Sequence, residues 1–340
     1  MKPIKIALLG IGKMGQNHLR ILNMLKDVEI AFIYDTNEES CKKIAQTYNV
    51  KMSQDLEADL AMLSPSDGAI IVTPTFSHFD YISKVSEYVK NIFVEKPLTN
   101  TLESAQVVID LAQKKSLNIQ VGFIERYNPA IITLKNILSH SGKIINVDIS
   151  RTNKASSRIT DVDVVIDLMI HDIDLALNIN GDVSEIYAQG VVVEGMIEFA
   201  RAILTHKNGS FSNILASRIT EKRIRQISVT TDKEYIDCNL LSKEVFVNKQ
   251  SVEQRFGNVQ IHSNTETIEV RGQEALLSEL IDFADICKNE KSKSPESTKS
   301  PENQSLGLEN QMPNFPNQFD GMRAIEIAHK IQTIIHKKAN

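Results

Sequence analysis

Asp167 and His171 stand four residues apart in the apolar segment Val164–Ile179, and Asp174 follows three residues later. On a helix, at about 100° per residue, these three side chains fall within roughly 60° of one another. Around them lie Leu168, Met169, Ile170, Ile173, Leu175 and Leu177. A helix that is apolar nearly all round is buried, so a carboxylate–imidazole–carboxylate stripe along it faces either polar partners or a polar cavity. An imidazole titrates near neutral pH, and a carboxylate one turn away can orient its ring or share its proton, which is the make-up of a general acid–base pair. Two other readings stay open, a satisfied structural network and a metal site, although no further residues stand at ligand spacing. Asp172, about 100° round from His171, is expected to serve a separate contact.

A second set of residues lies in the first hundred. Gly10-Ile11-Gly12-Lys13-Met14-Gly15 directly follows an apolar run and opens an amphipathic one. In that setting Gly10 permits a tight turn, Gly12 lets the backbone approach a pyrophosphate, and Gly15 allows close helix–strand contact. The helix start then offers unpaired N–H groups to that phosphate. Asp35 stands 20 residues past Gly15. A carboxylate there accepts the ribose hydroxyls of NAD and repels a 2′-phosphate, and Thr36 and Asn37 supply no arginine for NADP. Glu95-Lys96-Pro97 closes another apolar run, at the strand edge where open parallel sheets gather their ligands. Lys96 is therefore expected to point into a cleft. A solvated or ion-paired lysine is the other reading.

These residues need a scaffold, and the patterning supplies one. Ile4–Leu9, Ile30–Tyr34, Ala69–Thr73, Ile92–Glu95 and Ile119–Gly122 read as buried parallel strands. They alternate with helical stretches at Asn17–Leu25, Glu38–Tyr48, Phe79–Lys90 and Leu102–Lys114, as in a doubly wound α/β sheet. A helix at Pro129–His140 follows, then period-2 runs at Glu185–Val193, Glu198–His206, Phe211–Ile219, Arg225–Thr231 and Glu234–Asn239. Turn residues between them predict a large, mainly antiparallel open sheet. The expected organisation is an NAD-binding Rossmann domain over 1–122 and a substrate-binding and oligomerisation domain over 123–290. A flexible Ser/Pro-rich loop over 291–318 and a C-terminal helix over 319–340 complete it. In Phe211–Ile219 one face is expected to cover helices. The other, assigned Ala216 beside Ser212 and Asn213 with Ile214 opposite, is not fully polar, which predicts pairing into a homodimer or homotetramer.

Bulk properties bound the function. A net charge of −5 argues against nucleic acid or anionic membranes as general partners. Cys41, Cys238 and Cys287 lie far apart, without zinc or dithiol spacing, so a reducing, cytoplasmic setting is expected. The apolar run before Gly10 is too short for a signal-peptide core.

The chain resembles the glucose–fructose oxidoreductase/inositol dehydrogenase (Gfo/Idh/MocA) family over nearly its whole length. The resemblance rests on the glycine fingerprint, Thr73-Pro74-Thr75 with His78, Glu95-Lys96-Pro97, and Asp167, His171 and Asp174 at their spacings. It implies a Rossmann domain, a second α/β domain whose open sheet mediates oligomers, and catalysis by Lys96, Asp167 and His171. Cofactor contacts would come from Gly10, Gly12, Lys13, Met14, Gly15, Asp35, Thr73, Pro74, His78, Glu95 and Lys96. Within the family, Val121–Pro129 and Asp167–Asp174 look most like the branch that oxidises the 3-hydroxyl of UDP-N-acetylglucosamine for amino-sugar synthesis of the lipid A type. Substrate contacts would then fall to Arg126, Tyr127, Asn128 and Asp174. Arg126 has two roles open to it, holding a substrate phosphate or pairing with Glu125 or Asp174. A cyclitol or free-sugar dehydrogenase and a non-catalytic, NAD-dependent sugar sensor are the competing functions. Keeping Lys96, Asp167 and His171 together argues for the enzyme.

Overall fold

A computed structural model describes residues 3–154, 162–255, 258–288 and 315–339. The chain divides into two units, Met1–Phe123 with Leu276–Met322, and Ile124–Ala275 with Arg323–Asn340.

The first unit is a five-stranded parallel sheet. β1 (Ile4–Leu9), β2 (Val28–Tyr34), β3 (Gly68–Ile71), β4 (Asn91–Glu95) and β5 (Asn118–Gly122) take the order β2-β1-β3-β4-β5. Helices cover both faces of such a sheet, which is why its strands are apolar runs rather than alternating ones; all four residues of β3 are buried. α1 (Lys13–Leu22), α2 (Glu38–Tyr48), the short α3 (Leu56–Leu60), α4 (His78–Val85) and α5 (Leu102–Lys115) connect the strands. Local chemistry sets their ends. Asn37 caps α2 by accepting the Ser40 N–H at 3.0 Å, and Thr101 caps α5 through the Ser104 N–H at 3.1 Å. The helix expected over Phe79–Lys90 stops at Val85, and Lys90 instead spends its N–H on the carbonyl of Pro65.

The second unit carries α6 (Pro129–Leu138), β6 (Ile144–Thr152), a π-helical turn at Val165–Met169, α7 (Ile170–Asn180) and seven further strands. These are β7 (Val183–Val193), β8 (Met196–His206), β9 (Phe211–Ser217), β10 (Ile224–Thr231), β11 (Glu234–Asn239), β12 (Glu244–Arg255) and β13 (Asn258–Ile268). Eight strands form one sheet in the order β13-β12-β11-β10-β6-β9-β8-β7. Every neighbouring pair is antiparallel except β6 with β9. The fold is therefore the α/β class with a large, mainly antiparallel second sheet. α8 (Ala275–Lys288) packs on the first sheet through Phe283, whose ring meets Phe93 edge-on at 5.8 Å, and α9 (Gln318–Ala339) closes the described chain.

Two details differ from the sequence expectation. Ser212, Ile214 and Ala216 all lie on the fully buried face of β9, so Ala216 does not belong to the outer surface. The strict alternation of a strand puts Phe211, Asn213 and Leu215 there instead. β12 and β13 had no counterpart in the sequence pattern, because only Val245 and Val247 alternate inward before Asn248–Arg255, a run with one apolar residue, Val252. Of the loop expected over 291–318, residues 291–314 lie outside the described residues. Among the described residues no helix is long and apolar enough to cross a membrane, and no group of three or more His, Cys, Asp or Glu is placed to hold a metal ion.

Candidate active site

The cofactor end of the first unit is built around the turn between β1 and α1. Gly10 has φ +92°, and a Cβ there would meet the Val72 carbonyl oxygen at 2.5 Å. A Cβ on Gly15 would stand 2.0 Å from the carbonyl oxygen of Gly10. Gly12 is different: nothing lies within 4 Å of its Cβ position, and as the N-cap of α1 it contributes no side-chain cap. Lys13 and Met14 follow in the first turn, which holds no acidic residue. An uncapped helix start beneath open space fits a pyrophosphate, since orphan N–H groups and the helix dipole both favour an anion.

Asp35, at the end of β2, binds its own turn as well. Its Oδ2 accepts the Ile11 N–H at 2.7 Å, and its Oδ1 accepts the Asn37 N–H at 2.8 Å. Each carboxylate oxygen keeps a lone pair for a ribose hydroxyl. The residues present thus fit NAD, with Gly10–Gly15 for the pyrophosphate and Asp35 for the adenosine ribose.

At the carboxyl ends of β3 and β4 the side chains brace one another. His78 is buried, with Nδ1 2.8 Å from the Pro97 carbonyl and Nε2 2.9 Å from that of Thr73. Burial pushes its pKa down against the pull of the carbonyls. It therefore ties the Thr73-Pro74 turn to the segment that bears Lys96. Glu95 Oε1 lies 2.9 Å from Nε2 of the buried His18, and its Oε2 accepts the Lys96 N–H at 3.3 Å. Lys96 itself is half-buried.

In the second unit Asp163 begins the polar helix. Its Oδ1 accepts the N–H groups of Val165 and Ile166, and its Oδ2 accepts the Gln332 side chain at 2.9 Å. The Ile170 N–H then bonds back five residues to Val165, so Asp167 sits in a π-helical turn. Such wide turns occur often at functional sites. Asp167 and His171 are the half-buried members of the stripe. Asp167 Oδ2 is 4.0 Å from Nη1 of Arg218, which Glu198 holds through two contacts of 2.8 and 3.1 Å and which donates to the Val162 carbonyl at 2.8 Å.

The remaining acids of the helix turn inward. Asp174 is 1% exposed and takes a two-pronged bond from Arg126, at 2.8 and 2.6 Å. Of the two roles open to Arg126, the structure displays the ion pair. Asp172, fully buried, receives Nε and Nη2 of Arg151 at 2.7–3.0 Å, the separate contact expected of it. Arg151 also reaches Glu125 at 2.9 Å, and Asn128 donates to the same carboxylate at 3.0 Å. Burial pushes the Glu125 carboxyl up, but Arg151 and Arg225 outweigh it and hold it below the usual carboxylate range. Removing one partner from pairs this deeply buried costs about 3–5 kcal/mol. Tyr127 is 2% exposed, and Asn128 also donates to the Leu240 carbonyl and caps α6. The four residues expected to touch substrate, Arg126, Tyr127, Asn128 and Asp174, are all buried.

Sequence reasoning missed Arg151, Arg218, Glu198 and His18. No spacing rule announces them, because their partners lie on other strands and helices.

Comparison with known proteins identifies the family. Residues 4–123 match the profile of an oxidoreductase family with an NAD-binding Rossmann fold, and residues 140–237 match the C-terminal domain of the same Gfo/Idh/MocA family. UDP-N-acetylglucosamine 3-dehydrogenase of Acidithiobacillus ferrooxidans is 27% identical over 285 residues, covering 83% of this chain and 88% of the relative. The scyllo-inositol 2-dehydrogenase (NAD(+)) of Bacillus subtilis is 25% identical over 230 residues, covering 63% and 67%. The solved structure of the Acidithiobacillus enzyme shares the fold with a TM-score of 0.82 at 24% identity, over 98% of both chains. An Agrobacterium radiobacter oxidoreductase solved in complex with NAD+, L-tartaric acid and magnesium superposes with a TM-score of 0.78 at 17% identity, over 98% of this chain and 96% of that one. The chain belongs to the Gfo/Idh/MocA oxidoreductase family, and its cofactor is NAD.

Proposed function

We propose that this protein oxidises the 3-hydroxyl of UDP-N-acetylglucosamine to a ketone. The observation that carries the chemistry is the exposure pattern on the polar helix. Asp172 and Asp174 are consumed by buried arginines, while Asp167 and His171 keep partial exposure one turn apart. Similarity to a UDP-N-acetylglucosamine 3-dehydrogenase over 83% of the chain supports the substrate.

NAD, bound at the glycine turn, supplies the hydride acceptor. His171 takes the hydroxyl proton, the part an imidazole nitrogen plays in general base catalysis. Asp167 orients the ring and favours the imidazolium that forms, and Arg218 in turn steadies Asp167. Lys96, held cationic, lowers the pKa of the reacting hydroxyl and stabilises the alkoxide.

The test is NADH formation at 340 nm with a panel of UDP-sugars, free sugars and cyclitols. Turnover of UDP-N-acetylglucosamine well above the rest supports the proposal. Preference for a cyclitol would move the protein to the inositol-dehydrogenase reading, and NAD binding without turnover of any of them would make it a sensor.

A further inference from the structure

With Arg126 consumed by Asp174, a phosphorylated substrate needs another cation, and the second unit holds one. Arg225 on β10 stands directly opposite Arg151 on β6. Like charges in that position repel unless carboxylates lie between them. Glu125 does lie there, but other groups hold it more closely. Oε1 accepts from Arg151 at 2.9 Å and Oε2 from Asn128 at 3.0 Å, while Arg225 shares Oε1 at 3.4 Å. The other nearby acid, Asp172, is held by Arg151. Arg225 keeps 34% of its side chain exposed, and its pKa is lowered by burial and then by Arg151. Arg223, just before the strand begins, is exposed. The adjacent acid, Glu221, is paired with Lys154.

The place matters as much as the charge. Arg225 lies near the start of β10, across from the end of β6, and Arg218 immediately follows β9 on the other side of β6. α7 and the turn before it reach the middle strand β6 through Asp172 to Arg151, and the β9 side through Asp167 to Arg218. Two strand spacings, about 10 Å, separate β10 from β9. An anomeric phosphate on a sugar held at Asp167 and His171 has that span to cross to meet Arg225.

We propose that Arg225, assisted by Arg223, is the seat for the phosphate groups of the substrate. This rests on the nucleotide-sugar reading above and replaces Arg126 in that role. A guanidinium fork matches phosphate geometry in two-pronged fashion, which a lysine does not reproduce.

The experiment compares the parent with Arg225→Ala, Arg225→Lys and Arg223→Ala. It uses calorimetric binding of UDP and of inorganic pyrophosphate, NAD titration, thermal melts, and kcat and KM for UDP-N-acetylglucosamine. The expected result for Arg225→Ala is a UDP Kd and a substrate KM raised roughly 10–100-fold, the range of a lost charged hydrogen bond, with kcat within about threefold and NAD affinity unchanged. Arg225→Lys recovers part of the loss, and Arg223→Ala, exposed and harmless to folding, shows a smaller shift in the same direction. If the parent binds UDP and both alanine variants bind it equally well, the seat is elsewhere while the nucleotide-sugar reading stands. If the parent binds neither UDP nor pyrophosphate and turns over an unphosphorylated polyol, both readings fall.

Discussion

Asp35 Oδ2 accepts the N–H of Ile11 at 2.7 Å, so the carboxylate that ends β2 also closes the glycine turn. The residue expected to choose the cofactor thus also holds the loop in place. The parent should bind NAD(H) at least tenfold more tightly than NADP(H), about 1.4 kcal/mol. Asp35→Ala should narrow that gap, chiefly by weakening NAD, because it loses both the ribose acceptor and the anchor of Ile11. Asp35→Asn, which keeps an acceptor for one of the two N–H groups, should lose less NAD affinity and still tolerate NADP better than the parent. Fluorescence titration of both cofactors decides it, and equal affinities in the parent would overturn the assignment.

Lys96, Asp167 and His171 should separate turnover from binding. General acid–base assistance is worth about 10²–10⁴-fold, so Lys96→Ala and His171→Ala should each lower single-turnover hydride transfer by that order. The double variant should fall well short of the product of the two losses, the mark of groups that work as a unit. NAD affinity should hardly move. A His171→Ala protein turning over at the parental rate would remove the imidazole from the mechanism.

The five parallel strands of the first unit were legible because buried parallel strands and amphipathic crossovers carry strong periodic signals. Asp172 was legible too, as the acid that points away from His171. What the sequence did not carry was the fate of Arg126 and Asp174. A charged pair written 48 residues apart looks the same whether it is buried or open. The π turn at Val165–Met169 was equally hidden, since a 100° rotation assumes a regular helix. β12 and β13 escaped because their polar stretches lack the alternation that marks a half-buried strand.

The outer face of the second sheet should form an assembly contact. Tyr187 and Ile203 stand opposite each other on β7 and β8 and are 60% and 39% exposed; Phe211 on β9 and Tyr235 on β11 are exposed as well. Apolar surface on one face of an open sheet favours self-association. Light scattering at micromolar concentration should give a dimer or tetramer mass, and Ile203→Glu should shift it towards monomer. A monomeric parent would contradict the expectation.

Glu279 predicts a stability that depends on pH in an unusual direction. The residue lies on α8 four positions before Phe283, whose ring packs on Phe93 of β4, and so faces the sheet side that ends at Glu95. It is fully buried, and neither carboxyl oxygen meets a hydrogen-bond donor among the described residues. Burial first, then the charges of Glu95 and Asp282, push its pKa well above the ordinary 4.5. The folded state therefore binds a proton that the unfolded state gives up more readily. The stability linked to that proton is fully present below about pH 4.5 and is lost as pH rises towards the raised value, at roughly 1.4 kcal/mol per pH unit. Glu279→Gln has the same shape and nothing to ionise. Its melting temperature should exceed the parent's by a few degrees at pH 7.5, the usual response of a unit this size to about 1 kcal/mol, and the difference should vanish towards pH 4.5. Melting curves at both pH values provide the check. A constant offset between the two proteins would mean that Glu279 does not titrate in the folded state, and that its carboxyl has a partner which keeps it charged.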